Sequence, residues 1–482
     1  MTIHSVKTRP IFGRVKKLKL VLSSLLLLTV SAGSILAGVM MQGFYWDCPG
    51  PWYPTMQAQA ANLKSMIGGY GINRIWFPVP QKSASGGLSM GYDPYDYYDL
   101  GSYSQKGGPG THFGTQAQLK SAIAAFKAQG VSCIADIVLN HRSGGASEAN
   151  GYTGGTSYTS FNAVQSGLCK WHWYDFHPNN YEVSDEGTFG GYPDVTFNSG
   201  APYNDMKTWL NWLKNTNNAG FDGWRFDYTK GFHPWVVKDM IAASSPTYSV
   251  GEYWDANTTL LENWSVAAVA DAFDFAAYYT LKNICNNTGG GGNMPDVFDP
   301  AKCYAAKSAN RAVTFVANHD TDEIITDKMM AYAFILTYKG YPCIFWKDYF
   351  NYGLADGGGN GSGWGNGIRQ LVWMREKFAD GNPTIHVLES QNSQYIIYEA
   401  YGSSASKPGY VVIINDDATQ WKGQTITVDN TYLRNKTLKA YAWSSSKSGQ
   451  NYAPNNQFCN AAGSVQVWAP PRGYAVYSVN GF

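Results

Sequence analysis

Residues Gly223–Gly231 read GWRFDYTKG, a run that alternates aromatic side chains with an arginine and a carboxylate. On an extended strand, side chains two apart share a face, so Arg225 and Asp227 point one way and Trp224 and Phe226 the other. If the aromatic pair enters a greasy layer, the charged pair projects into an enclosed interior, where charge is costly unless paired. The run then ends in Tyr228, Thr229, Lys230 and Gly231. Two readings follow from these residues: one edge of an active site, or a structural Arg–Asp pair that closes a barrel.

Working outward, short apolar stretches recur on both sides. They are Val39–Trp46, Ile72–Pro80, Val131–His141, Phe221–Tyr228, Tyr248–Trp254, Val269–Phe275, Val313–His319 and Cys343–Trp346. Amphipathic stretches lie between them, at Met56–Ile67, Gln116–Gln129, Tyr203–Asn215, Pro234–Ala243 and Lys328–Tyr338, with a last one near Ile368–Phe378. Strands alternating with helices in this number predict an α/β fold, a parallel (β/α)8 TIM barrel. The interval 142–204 breaks the rhythm. It is rich in Gly, Asn, Tyr, Ser and His, has no helical period and is too long for a simple loop, so it reads as a subdomain inserted after the third strand. Beyond Ala379, short β-rich segments separated by turn residues predict a C-terminal all-β domain of about a hundred residues. The expected organisation is a signal peptide over 1–38, the barrel over 39–141 and 205–378, the inserted subdomain B over 142–204, and the C-terminal β-domain over 379–482.

The chain has 482 residues, 44% of them hydrophobic and 15% charged, which fits a globular protein rather than a disordered one. With a net charge of +1 and no basic patch beyond the N-terminus, nucleic acid is not an expected partner. The 17 Trp and 34 Tyr serve large cores and sugar-binding clefts alike. Near the N-terminus, Arg9, Arg14, Lys16, Lys17 and Lys19 precede an apolar run, Leu20–Val30, and small residues follow at Ser31, Ala32, Gly33, Ala37 and Gly38. That is the pattern of a secretory signal peptide cleaved between about Ala32 and Gly38. No later stretch is long and apolar enough to span a bilayer, so the mature chain is expected to be a secreted monomer, extracellular or periplasmic, without a membrane partner. The seven cysteines lack a C-x-x-C pair, and Cys285 and Cys303, which flank a glycine-rich loop, are the expected disulfide.

In a barrel of this kind the site lies at the C-terminal ends of the strands, and polar residues collect there. The third strand ends DIVLNH (Asp136, Asn140, His141), the fourth carries Arg225, Asp227 and Lys230, the fifth ends in Glu252 of VGEYW, and the seventh in His319 and Asp320 of FVANHD. Glu252 follows Asp227 by 25 residues, one strand–helix–strand step, so the two carboxyls should face each other from neighbouring strands. Facing carboxyls in a wide cleft suit glycoside hydrolysis, one attacking the anomeric carbon and the other donating a proton to the leaving oxygen. Arg225 beside Asp227 favours Asp227 as nucleophile and leaves Glu252 as acid/base. Asp320 is placed to bind sugar hydroxyls and stabilise the cationic transition state.

DIVLNH, GWRFDYTKG, VGEYW and FVANHD together resemble the four conserved regions of the α-amylase family of glycoside hydrolases, in the family's order and on the expected strands. GFYWD, GYDPYDYYDLG, TFGGYPDV and GEYWD are most similar to its archaeal and plant-like branch. The resemblance implies a secreted, endo-acting, retaining α-amylase that cleaves internal α-1,4 bonds of starch-like glucans, with Asp227, Glu252 and Asp320 catalytic. The alternatives are another α-glucan hydrolase or transglycosylase of the family, or a catalytically silent glucan-binding protein. The resemblance also makes His141, Arg225 and His319 subsite residues, places Tyr92 against the sugar at the cleavage point, and gives Lys230 a contact on the leaving-group side. It implies a structural Ca2+ held by Asn140, Asp185, the Gly187 carbonyl, Asp194 and the Gly231 carbonyl, a set of hard oxygen donors. Some relatives carry a second metal site of two histidines and a cysteine. His177 matches its first ligand, but Glu182 and Thr196 stand at the others, so this site is expected to be absent and His172 and His177 to be structural or surface histidines.

Overall fold

Eight parallel strands close into a barrel: β1 (Met40–Gln42), β2 (Arg74–Phe77), β3 (Ser132–Ile137), β4 (Gly223–Phe226), β5 (Tyr248–Gly251), β6 (Asp271–Phe273), β7 (Ala312–Phe315) and β8 (Tyr341–Phe345). Neighbours in sequence are neighbours in the sheet, and β8 pairs with β1 through Met40 and Cys343 to complete the circle. The computed structural model describes residues 1–2, 38–178, 189–198, 200–356 and 367–482. The chain divides into Met1–Ser34 and Ile35–Phe482. Of the first unit only Met1 and Thr2 are described, so the expected basic and apolar runs of the signal segment lie outside the described residues. Among the described residues no helix is long and apolar enough to cross a membrane.

Most strands are shorter than their apolar runs, because the last residues of a run turn away from the ladder to form the rim. The longer helices are α1 (Tyr53–Lys64), α2 (Gln116–Ala128), α3 (Ala201–Lys214), α4 (Pro234–Ser244), α5 (Thr258–Ala268), α6 (Phe275–Asn286), α7 (Lys328–Thr337) and α8 (Ile368–Ala379), with a single helical turn at Tyr304–Lys307. Thr115 opens α2 with a reciprocal cap: its side chain accepts from Gln118 N–H while the Gln118 side chain accepts from Thr115 N–H. Two helices escape the hydrophobic pattern, α5 and α6, although their caps are written in the chain. Asn257 accepts from Thr259 N–H and Leu260 N–H, and Asp274 accepts from Ala277 N–H. The expected strand Val269–Phe275 is therefore trimmed at both ends. Val269 terminates α5 in a left-handed conformation (φ 56°), and Phe275 already belongs to α6.

In β4 the two faces separate as the alternation requires. Trp224 is buried, its indole N–H donating to Ser244 Oγ of α4 at 2.9 Å, whereas Arg225 is fully buried on the interior side. The interval after β3 contains a hairpin (Ala146–Ala149 with Thr156–Ser160), a short 3-10 turn (Trp173–Asp175) and a two-residue antiparallel pair (Phe176–His177 with Asp194–Val195), and no α-helix among its described residues. Arg142 anchors its root: Nε and Nη2 donate to Tyr95 O at 3.1 and 2.7 Å, and Nη1 donates to Cys169 O at 2.6 Å. A second irregular stretch between β2 and α2 also rises from the rim, and the hydrophobic rhythm gave no sign of it. Its buried Lys82 donates to three successive carbonyls, Gly108, Pro109 and Gly110, at 2.7–2.8 Å.

After α8 a six-stranded antiparallel sheet forms from Ile385–Glu389, Tyr395–Ser404, Lys407–Asn415, Gly473–Val479, Lys436–Ser445 and Gln457–Cys459. Its period-2 alternation serves two cores. Tyr398, Val412 and Val476 pack with the barrel's helices, whereas Ile397, Val411, Ile413 and Tyr477 pack with the strand pair Lys422–Thr427 and Ser464–Ala469. All seven cysteines are buried free thiols, so the expected Cys285–Cys303 disulfide is not formed. Cys303 instead lies with Sγ 3.8 Å from the Asp274 carboxylate, at the turn that caps α6.

Candidate active site

Arg225 is the hub of the barrel mouth. It stands opposite Asp136 in the β3–β4 register and opposite Val250 in the β4–β5 register. Its Nη1 donates to Asp136 Oδ1 at 2.8 Å and to Asp227 Oδ1 at 2.6 Å, and its Nη2 lies 2.7 Å from Glu252 Oε1. One guanidinium thus touches three carboxyl groups from three adjacent strands. The guanidinium carbon lies over the Trp76 ring, 4.8 Å from its centre. Asp136 is held further by the Trp76 indole N–H at 3.1 Å and the Tyr92 hydroxyl at 2.7 Å.

Asp227 and Glu252 each sit one residue past the last register pair, Phe226 with Gly251. The ladder continues beneath them, Asp227 N–H donating to Ile137 O and Glu252 N–H to Phe226 O, both at 2.9 Å. Tyr228 then takes a left-handed conformation (φ 42°, ψ 52°), which turns its N–H to Glu252 Oε2 at 3.2 Å. Burial pushes the Glu252 carboxyl up to about 8. Arg225 opposes the rise, and the neighbouring Asp227 and Asp320 charges reinforce it. Burial also raises Asp136 against the pull of Arg225.

Asp320 opens to the cleft from the loop after β7. Desolvation raises it, but the His319 imidazole and the Arg225 charge outweigh that, and the carboxyl lies below its usual range. His319 Nε2 is 2.9 Å from Asp320 Oδ2, and its Nδ1 is 2.8 Å from Gln42 Nε2 on β1. The His319, Tyr92 and Trp46 rings are nearly parallel: Tyr92 is 5.1 Å from His319 at 11°, and Trp46 is 6.0 Å from Tyr92 at 10°. With Trp46 48% exposed, this apolar plate faces the solvent side of the cleft. The cleft holds about 700 Å³ and is lined by the three carboxyl groups Asp227, Glu252 and Asp320 together with Trp46, Tyr92, Phe189, Tyr192, Lys230 and Trp254.

His141 is buried, and burial lowers its affinity for a proton. Its Nε2 lies 2.8 Å from Tyr92 O, and its ring stacks on Phe189 (4.9 Å, 16°) and Tyr192 (5.4 Å, 25°). Lys230 reaches the cleft but is ion-paired to Asp255 at 2.9 Å.

Of the residues expected to hold calcium, Asp185 and Gly187 lie outside the described residues, as does Glu182 of the second metal pattern. The other three converge. Asn140 Oδ1 is buried without a hydrogen-bond partner, a methyl group on Gly231 would fall 1.9 Å from that oxygen, and the buried Asp194 bridges to His141. An unpartnered buried oxygen beside a buried carboxylate and a backbone turn is what a hard cation requires, so this donor set fits calcium. At the second pattern, His177 pairs with Asp194 in the short antiparallel ladder, and His172 Nδ1 is 2.7 Å from Glu148 Oε2.

The sequence reading brought Asp227, Glu252, Asp320, His319, Arg225, His141, Lys230 and Tyr92 together, and the barrel gathers all of them at one rim. It gave no part to Gln42, Trp46, Phe189, Tyr192, Trp254 or Asp255. Trp46 and Asp255 stand inside GFYWD and GEYWD, so those motifs carried a signal; nothing local marks Gln42, a lone amide in an apolar run.

No protein-family model matches the chain. It is 27% identical over 505 residues to a glucan 1,4-alpha-maltohexaosidase of Bacillus sp. (strain 707), covering 89% of this chain and 92% of that one. It is 30% identical over 376 residues to an alpha-amylase of Geobacillus stearothermophilus (65% and 66% covered), and 27% identical over 501 residues to the cytoplasmic alpha-amylase of Escherichia coli (strain K12) (89% and 98%). Its fold is similar to that of the alpha-amylase from Geobacillus thermoleovorans complexed with acarbose (TM-score 0.64, 15% identity, 93% and 98% covered). A cyclomaltodextrin glucanotransferase with a three-domain ABC distribution is similar as well (TM-score 0.65, 16% identity, 92% and 100% covered). With amylases among its relatives over most of its length, and with a TIM barrel whose rim is lined by carboxyl groups, this chain is a glycoside hydrolase.

Proposed function

We propose that the protein is a secreted, endo-acting α-amylase of the archaeal and plant-like branch that hydrolyses internal α-1,4-glucosidic bonds with retention of configuration. The division into barrel (39–141 and 205–378), subdomain B (142–204) and C-terminal domain (379–482), and the monomeric state, belong to the same proposal. The observation that carries it is the single guanidinium of Arg225 contacting Asp136, Asp227 and Glu252 at the floor of an aromatic-lined cleft.

In this reading Asp227 attacks the anomeric carbon while Glu252, held protonated by its burial, gives its proton to the glycosidic oxygen. The same Arg225 Nη2 that lies 2.7 Å from Glu252 then steadies the carboxylate left behind. That carboxylate takes a proton from water, which attacks the anomeric carbon and releases Asp227. Asp320 faces the positive charge that develops on the ring, and the Trp46–Tyr92–His319 plate supplies a flat apolar face for the sugar. The test is soluble starch followed by NMR: the new reducing ends should emerge as the α-anomer. Initial release of the β-anomer would refute retention.

Glu252 also sets the pH behaviour. Its folded value, about 8, lies above the ordinary glutamate range, so the protonated acid persists through neutral pH and kcat should fall as pH rises through about 8. A profile whose basic limb lies near pH 5 would show that Glu252 is not the proton donor. The linkage sign agrees. The folded state binds the proton more tightly than the unfolded chain, so this group's contribution to stability is full below the unfolded value and lost as pH rises toward 8.

Asn140, Asp194 and Gly231 would hold the calcium ion, with Asp185 and Gly187 completing the set. The ion would supply structural cross-linking of the insert to the catalytic strand. Because it binds only the folded state, EDTA should lower Tm by about 5 °C or more. An unchanged melting curve would remove calcium from the proposal. The names of the relatives favour one second reading, a hydrolase that releases a maltooligosaccharide of set length. Product profiling separates the two, since a single dominant early product would favour it.

A further inference from the structure

We propose that Gln42 is a positioning residue that holds His319 as the neutral tautomer protonated on Nε2, so that the imidazole lies beside Asp320 without placing a second cation in the site. This deepens the hydrolase reading above and rests on it for its catalytic meaning. Gln42 ends β1, 1% exposed, between β8 and β2. Its Nε2 faces His319 Nδ1 at 2.8 Å. An amide N–H donates only to a lone pair, so Nδ1 carries no proton and the ring hydrogen sits on Nε2. That nitrogen lies 2.9 Å from Asp320 Oδ2.

The His319 side chain is fully buried, packed by Phe44 at 5.1 Å, Tyr92 at 5.1 Å and Trp76 at 5.6 Å. The ring therefore cannot turn to exchange its nitrogens, and the choice of tautomer falls to Gln42. The choice matters chemically. Asp320 faces a ring that becomes cationic in the transition state, and an imidazolium beside it would offset part of the carboxylate's charge. A neutral ring beside the carboxylate leaves that charge intact.

The test combines NMR with kinetics on the full-length enzyme. In wild type labelled with 15N-histidine, the His319 resonances, assigned by their loss in His319→Gln, should have the pattern of an Nε2–H imidazole at neutral pH. An Nδ1–H or doubly protonated ring would overturn the proposal. Gln42→Glu should convert His319 to imidazolium and lower kcat at least about tenfold with KM little changed, as misassigned histidine tautomers do elsewhere. The same substitution in a His319→Gln background should cost little further, and an equal loss in both backgrounds would overturn the proposal. Gln42→Met, which keeps the volume and removes the donor, covers the case in which the glutamate variant does not fold. It should leave the ring as a mixture of tautomers, and an unchanged Nε2–H pattern would overturn the assignment. If the wild type cleaves no α-glucan, the functional reading fails on its own, while the NMR result still decides the tautomer.

Discussion

Asp227→Asn is expected to lower starch hydrolysis by about four orders of magnitude or more while leaving a folded protein. The substitution removes the attacking oxygen's charge but keeps the side chain's shape, and an amide oxygen can still accept from Arg225 Nη1, which lies 2.6 Å from Asp227 Oδ1. Asp227 lines the cleft, although it is itself buried. Initial rates of reducing-sugar release beside a thermal melt are the measurement. A variant retaining more than about a tenth of the rate would take the nucleophile's role from Asp227. The variant carries a second expectation. Asp227 is one of the charges that raise Glu252, so its removal should move the titration of that carboxyl toward the ordinary glutamate range.

Arg225→Met should destabilise the fold by about 3–5 kcal/mol, the cost of removing the cation from buried anions that remain. Asp136 is fully buried and loses its ion-pair partner, and Asp227 and Glu252 lose the group that holds them together. The loss should depend on pH in a stated direction. Without the guanidinium, Asp136 and Glu252 are raised further by burial and by the neighbouring Asp227 charge. The folded variant therefore takes up protons that the unfolded chain does not, and its stability falls as pH rises. Denaturant melts should accordingly reveal a larger deficit against wild type at pH 8 than at pH 5. A deficit that is small, or equal at both, would mean that the three carboxyl groups find other compensation. Because Arg225 also steadies Glu252 after proton transfer, the folded fraction of this variant should be nearly inactive.

Much of this site was legible in the chain because its signals are local. Alternation in GWRFDYTKG places Arg225 and Asp227 on one face, and the 25-residue step to Glu252 is what one helix needs to return to the next parallel strand. The strand-end positions of His141 and His319 follow from the same rhythm. The reading was weaker where helices begin with caps rather than with strong apolar stripes, as at Asn257 and Asp274. It was also weaker where a thiol's environment is set by a distant element, as with Cys303 beside Asp274.

The sequence by itself determined the barrel strands, the order of the rim residues and the pairing of Asp227 with Glu252, because apolar period and strand–helix–strand length are properties of contiguous residues. Only the tertiary structure decided that Arg225 serves three carboxyl groups, that Glu252 is buried enough to keep its proton to about pH 8, and that Gln42 of β1 meets His319 beyond β7. Those outcomes depend on closing the barrel, which brings Gln42 and His319 together across 277 positions. They depend also on the low-dielectric enclosure that closure creates, where the sum of burial and charge, rather than any local motif, sets which group holds a proton.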